Sequence, residues 1–218
     1  AADVLEDVDK YPIKYANRVK RCVDAVGNTK NTICLEFTTA LLCAEESVLS
    51  TLNAVLLDKN IPVFGGTAGD PGTASGTKVS LNGRVCEKST VFALIHNEKG
   101  MVRIFRENIY EPVNGHVLTA TKVNALTRTV YEYNHRPADL VYAEELGVPV
   151  NQITKYFDTN PMGRVVGDAM YITANCALTD NHGITYHARV YENSRVEVLK
   201  PADYKQIVSE TMEEIKRE

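Results

Sequence analysis

Residues 33–70 determine the architecture, and their sequence is ICLEFTTALLCAEESVLSTLNAVLLDKNIPVFGGTAGD. Residues 33–38 form an apolar run that is typical of a strand. Residues 44–58 carry apolar side chains at helical spacing, namely Val48, Leu49, Leu52, Val55 and Leu56. Residues 61–64 are a second, shorter apolar run. A strand, a helix and a strand at this spacing predict a right-handed βαβ unit with a parallel strand pair.

The pattern changes after this unit, because short strands and turns replace helices. Asn82-Gly83 is a strong two-residue hairpin signal, so an antiparallel meander is expected from residue 76 to residue 130. Strands are predicted at 78–81, 85–86, 90–95, 102–107, 116–123, 129–133, 165–178, 184–190 and 196–199. Helices are predicted at 15–26, 137–146, 150–156 and from 201 to the chain end, after an irregular lead-in at 1–12.

These elements predict an α+β fold with an α/β start. A βαβ unit leads into a mostly antiparallel sheet with flanking helices, and two lobes form one compact body. The last helix keeps apolar residues at three- and four-residue spacing up to Ile215 and has no stop signal. It is either a connector to a following helical module or a surface helix that frays at a natural terminus.

Composition excludes several classes of protein. The chain has 218 residues, of which 44% are hydrophobic and 24% are charged, so collagen-like and wholly disordered chains are excluded. The net charge of −4 lacks the basic footprint of a nucleic-acid binder. No apolar run approaches the roughly 20 residues of a membrane helix, and the acidic start is not a signal peptide. Five widely spaced cysteines, without a C-x-x-C pair, indicate a reducing compartment and buried inert thiols: Cys22, Cys34, Cys43, Cys86 and Cys176.

The segment after the second strand is the first candidate for ligand binding. It consists of Gly65, Gly66, Thr67, Ala68, Gly69 and Asp70. Glycines directly after an apolar strand let the backbone turn sharply and approach a ligand, and ligands bind at the carboxyl ends of parallel strands. The segment lacks the lysine of a phosphate loop and the spacing of a dinucleotide fingerprint. The alternative interpretation is a surface turn of small residues.

A second unusual segment, residues 158–164, contains Asn-Pro followed by Gly and delivers Arg164 to the start of a strand. An arginine there is able to clamp a carboxylate with two parallel hydrogen bonds, or it is an exposed turn residue. His182 and His187 are the only close histidine pair, but residues five apart seldom face the same way and no third metal ligand is evident. No nucleophile elbow and no organised acid–base set occurs, so an enzyme acting on a small metabolite is the minority hypothesis.

Five segments carry a family resemblance: residues 61–70, 82–85, 113–123, 131–142 and 160–163. In that order they resemble the motifs of the FIST family (F-box and intracellular signal transduction proteins). The first is similar to the family's signature, and the second lies at its "dGe" turn. The others resemble its "p-x-G … vTka", "v-y-e-l-d-G-x-P-A-x-x-x-Y" and "hPlG" segments. His135-Arg136 replaces the usual Asp-Gly, and Asn160 replaces a histidine.

The resemblance implies a cytoplasmic sensory domain of a bacterial signalling protein. Its expected ligand is a small molecule, an amino acid in particular, and the expected binding residues are Gly65–Asp70, Arg164 and Asn175. If the fold brings the two residues together, Asp70 would accept hydrogen bonds from the ammonium group of the amino acid, and Arg164 would hold its carboxylate. No cofactor is expected. One branch of the family binds haem and senses nitric oxide, and that alternative would use His116 or His187 as the ligand.

The resemblance also implies an organisation into regions and a set of partners. Residues 1–135 correspond to the C-terminal portion of the FIST N region, residues 136–200 to the FIST C region and residues 201–218 to a connector helix. The expected partner is a downstream signalling module in the same polypeptide, such as a methyl-accepting chemotaxis module. A homodimer is compatible with this organisation, as is an interaction module without a ligand. Nucleic acid and membrane are not expected partners.

Overall fold

The computed structural model describes residues 1–6, 8, 10–39, 44–69 and 76–218. These residues form two compact units, Ala1–Ile104 (the first unit) and Phe105–Glu218 (the second unit). Both contain helices and sheets with antiparallel strand pairs, which confirms the α+β class. The expected boundaries at residues 135 and 200 separate regions of the family, whereas these two units are separated by how compactly the chain packs. The expected boundaries therefore stay predictions.

The first unit is built on a sheet with the strand order β1-β6-β2-β3. Only the pair of β2 and β3 is parallel. Its elements are β1 (Ala2–Glu6), α1 (Pro12–Val26), β2 (Thr32–Thr39), α2 (Glu45–Leu56), β3 (Val63–Ala68), β4 (Val79–Leu81), β5 (Arg84–Cys86) and β6 (Ser89–His96). A 3-10 turn, Leu57–Lys59, follows α2.

The predicted βαβ unit is confirmed by β2, α2 and β3. The strands pair in parallel with Cys34 opposite Val63. Apolar residues of α1 and α2 pack against residues of β1, β2 and β6 to form the core of this unit. The core includes Leu5, Val19, Cys34, Val48, Leu52, Leu56, Phe92 and Leu94.

Three expectations for this part of the chain are wrong. Residues 2–6 are not an irregular lead-in but a strand that pairs antiparallel with β6. The chain after residue 76 is not a meander, because β4 and β5 form a separate hairpin while β6 inserts between β1 and β2. The hairpin itself is confirmed, with Asn82 and Gly83 both at positive φ.

Residues 102–107, expected as a strand, have no regular structure and are mostly exposed.

The second unit contains a longer sheet with the order β12-β11-β15-β8-β9-β14-β13. Its strands are β7 (Tyr110–Pro112), β8 (Leu118–Asn124), β9 (Thr129–Tyr133), β10 (Arg136–Pro137), β11 (Met162–Val166), β12 (Ala169–Thr173), β13 (Asn175–Leu178), β14 (Ile184–Tyr186) and β15 (Arg195–Pro201). Its helices are α3 (Ala138–Leu146), a 3-10 helix at Val150–Tyr156, and α4 (Tyr204–Arg217). The predicted helices at 137–146 and 150–156 are confirmed.

The single strand expected over residues 165–178 is wrong, because the segment forms parts of three strands. The chain reverses after β11, where Gly167 has φ +59°, and β12 pairs back on β11. β13 leaves this pair and joins β14 instead. The sequence does not reveal the two breaks between these strands, because all three strands are rich in apolar residues.

The helix α4 begins after Asp203, whose carboxylate accepts hydrogen bonds from the backbone N–H groups of Lys205 and Gln206. None of its residues is buried. Apolar side chains at four-, four- and three-residue spacing are exposed: Tyr204, Val208, Met212 and Ile215. Across the described residues, no helix has both the length and the apolar character that crossing a bilayer requires.

Candidate functional site

The segment expected to be a ligand loop is mostly strand. Gly65, Gly66, Thr67 and Ala68 belong to β3, Gly69 follows the strand, and Asp70 lies outside the described residues. Gly65 is opposite Glu36 on β2, and a Cβ at Gly65 would overlap the carbonyl oxygen of Glu36. The reason for this glycine is therefore the close approach of two backbones, not a turn. A Cβ at Gly66 would have nothing within 4 Å among the described residues, and ligand contact by this segment stays a prediction.

A polar cluster lies on β2 and β6 beside this segment. Glu36, Thr38 and Thr90 are all buried. The Thr38 hydroxyl donates to the Glu36 carboxyl group and lies 2.7 Å from the Thr90 hydroxyl. Burial raises the pKa of the Glu36 carboxyl group, the Thr38 hydrogen bond lowers it, and the nearby Glu45 carboxylate raises it. The net result is a raised pKa, so Glu36 keeps its proton to a higher pH than a solvent-exposed glutamic acid does.

The raised pKa of Glu36 makes the stability of the first unit depend on pH. In the unfolded chain this group loses its proton near the ordinary pKa of about 4.3, whereas in the folded chain it holds the proton to higher pH. The stabilisation is therefore complete below that ordinary value and is lost as pH rises through the folded pKa. We expect Glu36→Gln to remove this decline, as measured by urea unfolding from pH 4 to 8. Glu98→Gln, at an exposed turn, is the control, and an equal effect of both substitutions would contradict the assignment.

Arg164, the predicted carboxylate clamp, lies on β11 opposite Tyr171 on β12 and Val196 on β15. Directly paired residues of antiparallel strands share one face of the sheet. Arg164 is half-buried, and its Nε is buried without a hydrogen-bond partner among the described residues. A buried donor without an acceptor is costly, so this nitrogen is a candidate for ligand contact.

The Tyr171 side chain is in contact with another arginine, Arg106. The guanidinium carbon of Arg106 lies 5.6 Å from the centre of the Tyr171 ring, and Nη1 donates to the Tyr171 hydroxyl at 3.3 Å. In the described part of the chain, no carboxylate forms an ion pair with Arg106 or Arg164. A guanidinium group whose buried Nε makes no hydrogen bond within the described structure is suited to receive a carboxylate.

Asn175 also lies in the second unit, where its contacts are with the protein interior. Its Oδ1 accepts a hydrogen bond from the Met162 backbone N–H at 3.3 Å, which links the start of β13 to β11. Its Nδ2 makes no hydrogen bond in the described structure and neighbours the Tyr142 hydroxyl. Burial raises the pKa of Tyr142, and the Asn175 amide opposes this rise. Met162 connects the two residues along the chain. Asn175 accepts a hydrogen bond from its backbone N–H, and Arg164 follows it by two residues on β11.

The histidines do not form a metal centre in the described structure. No group of three or more His, Cys, Asp or Glu side chains suited to a metal occurs among the residues described. His182 pairs instead with Asp139, with Nδ1 to Oδ2 at 2.9 Å. His116 and His187 are both exposed, and His116 Nδ1 pairs with Glu145. Haem ligation by either of these two histidines stays an untested alternative.

The sequence interpretation missed two residues of this site, Arg106 and Tyr171. Arg106 lies in the segment 102–107, whose expected strand is absent. Tyr171 comes opposite Arg164 only because the chain reverses between β11 and β12. The sequence signal for this reversal is Gly167-Asp168, a pair typical of turns that lies between two apolar stretches.

Comparison with known proteins gives one family and one relative. The model of the family described as FIST N domain matches residues 1–136. "Uncharacterized protein MJ1623" of Methanocaldococcus jannaschii is 25% identical over 222 aligned positions, which cover 94% of this chain and 42% of the relative. The chain therefore spans less than half the length of this curated relative. No solved structure matches.

Proposed function

The chain belongs to the FIST family of signal-transduction sensory domains, and we propose that it binds a small ligand. The ligand in this proposal carries a carboxylate group and is an amino acid. The observation that carries the proposal is the buried Nε of Arg164, which has no hydrogen-bond partner among the described residues. A second guanidinium group, that of Arg106, lies over the ring of Tyr171, the residue that pairs with Arg164 across the two strands. A carboxylate would satisfy the buried Nε through a charge-assisted hydrogen bond.

Asp70, the predicted acceptor for an ammonium group, lies outside the described residues, so the proposal rests on the carboxylate contact alone. Asn175 has a supporting role in this proposal, since its contact with the Met162 backbone holds the strand that carries Arg164. The carboxylate contact would thus lie on a strand that is paired on both sides, which favours a preorganised site.

Signal output in this proposal runs through α4. Its exposed apolar residues recur with the spacing of a helix that packs against another helix. We infer a connector to a downstream signalling module, such as a chemotaxis module, or a partner helix in a homodimer. In the same proposal the protein is cytoplasmic, and the chain corresponds to the second half of the FIST N region followed by the FIST C region.

Calorimetry and thermal shift with the set of natural amino acids test the proposal, with the matching decarboxylated amines as ligand controls. We expect binding of an amino acid but not of its amine. Arg164→Ala should weaken it about 10- to 100-fold, because a hydrogen bond to a charged group contributes about 1.5–3 kcal/mol. Arg195→Ala, an exposed arginine on β15, is the matched control. Equal affinity in both variants, or equal binding of the amine, would contradict the carboxylate site.

A further inference from the structure

The second unit contains a cavity of about 400 Å³ away from Arg164. It is lined by Lys122, Tyr131, Glu132, Pro137, Asn181 and His182. Most of its walls come from β8, β9, β10 and the turn between β13 and β14. The strands β15 and β8 separate β9 from β11 in the sheet, so this cavity and Arg164 are in different places. Its volume falls in the range of small-molecule sites.

The cavity holds one side chain in a fixed orientation. His182 donates from Nδ1 to the buried carboxylate of Asp139 at 2.9 Å, and its carbonyl accepts from the Asp139 backbone N–H at 3.2 Å. Its backbone has φ +61°, a conformation that non-glycine residues adopt rarely. Because the carboxylate engages Nδ1, the ring presents Nε2 as the atom available to a ligand.

The turn that carries His182 is fitted closely against the wall of the cavity. A Cβ at the next residue, Gly183, would lie 2.7 Å from Thr179 Oγ1 and 2.9 Å from Tyr131 Cδ1. The absence of a side chain lets the turn pack directly on Tyr131. The Tyr131 ring and the imidazole are therefore held by contacts that exist without a ligand, as a preformed site requires.

The polar lining combines donors and acceptors without excess charge. Lys122 and Glu132 form an ion pair at 3.5 Å, so their charges offset each other. Asn181 and the Tyr131 hydroxyl each donate and accept, and His182 Nε2 accepts when Nδ1 carries the proton. A lone anion would meet Glu132 and the Asp139 carboxylate behind His182, which disfavours it.

We propose that this cavity binds a neutral polyhydroxylated molecule of the size of a monosaccharide. Each hydroxyl group donates and accepts, which matches the alternation of Lys122, Glu132 and Asn181. The rings of Tyr131 and Pro137 supply an apolar surface for the C–H face of the sugar. The inference does not depend on the amino-acid site, since it uses other residues of the sheet.

Titration calorimetry and ligand-observed NMR with the full chain test this inference. The probes are neutral hexoses and pentoses, the same sugars with their hydroxyls methylated, and sugar phosphates, all at millimolar concentration. We expect a neutral sugar to bind and its methylated form to fail. His182→Ala should weaken binding roughly tenfold, while His187→Ala, an exposed histidine on the neighbouring segment, should leave it unchanged.

A further variant separates loss of the site from loss of the fold. Glu132→Gln keeps the size of a half-exposed side chain and removes one acceptor charge, so it should weaken sugar binding while circular dichroism and the melting temperature stay near wild type. Failure of every neutral sugar, binding by sugar phosphates alone, or equal affinity in His182→Ala and His187→Ala would each overturn the inference. None of these outcomes bears on the amino-acid experiment, whose probes and variants are different.

Discussion

Gly65→Ala is expected to lower the free energy of unfolding of the first unit by about 3 kcal/mol or more. The added Cβ would overlap the carbonyl oxygen of Glu36 and lie 2.6 Å from its carbonyl carbon. Both atoms belong to the backbone of β2, which pairs with β3 on one side and β6 on the other. Neither strand is able to shift without breaking this ladder, so the substitution should separate β3 from the sheet.

Gly66→Ala provides a matched control on the same strand. A Cβ there has nothing within 4 Å among the described residues, and alanine costs less chain entropy than glycine, so stability should be unchanged or higher by up to about 1 kcal/mol. Because the chain contains no tryptophan, unfolding in urea is followed by circular dichroism, with hydrogen exchange of β2 and β3 peptides to localise the effect. Equal stabilities of the two variants would show that β3 does not approach β2 in this way.

Tyr142→Ala is expected to destabilise the second unit by about 3–5 kcal/mol. Tyr142 on α3 is fully buried, and its ring meets Phe157 edge to face with 5.8 Å between centroids. Its hydroxyl donates to the Asn160 carbonyl at 2.6 Å. The substitution therefore leaves a cavity in the core and removes the partner of a turn that precedes β11.

Two further variants separate the contribution of the buried ring from that of the hydroxyl hydrogen bond. The measurements are urea unfolding and hydrogen exchange of residues 160–163. Tyr142→Phe keeps the ring, so it should cost only about 1–2 kcal/mol and expose the turn first. Leu140→Ala, on the same helix but 38% exposed, should cost less than about 1 kcal/mol. A loss as large for Leu140→Ala as for Tyr142→Ala would contradict the assignment of Tyr142 to the core.

Local sequence patterns were sufficient to predict the elements that have a distinct periodicity or turn signal. The apolar stripe of α2, the Asn82-Gly83 turn and the helix α3 before Gly147 were predictable because each signal is contained within a few residues. The strand β1 was not, since its short acidic sequence becomes a strand only by pairing with β6. Its two apolar residues, Val4 and Leu5, pack in different core clusters.

The site was predictable in part for the same reason. Arg164 stood out because a Pro-Met-Gly turn precedes it, and its buried Nε supports the choice. Strand reversal pairs Tyr171 with Arg164, and a segment without regular structure brings Arg106 to Tyr171. Neither feature leaves a periodic signal in the sequence. The glycines of β3 indicated a close approach correctly, but sequence alone does not distinguish a ligand from a neighbouring backbone.

The central position of β6 also constrains the order in which the first unit folds. The βαβ unit is local, so β2, α2 and β3 are able to associate once Ala68 is available. β1 has no sheet partner until Ser89–His96 has been synthesised, and Leu5 then pairs with Thr90. Closing so long a loop costs entropy before any contact compensates it, and sheets with distant pairings fold slowly. Although β1 precedes the other strands of its sheet in the chain, it is thus among the last to be stabilised.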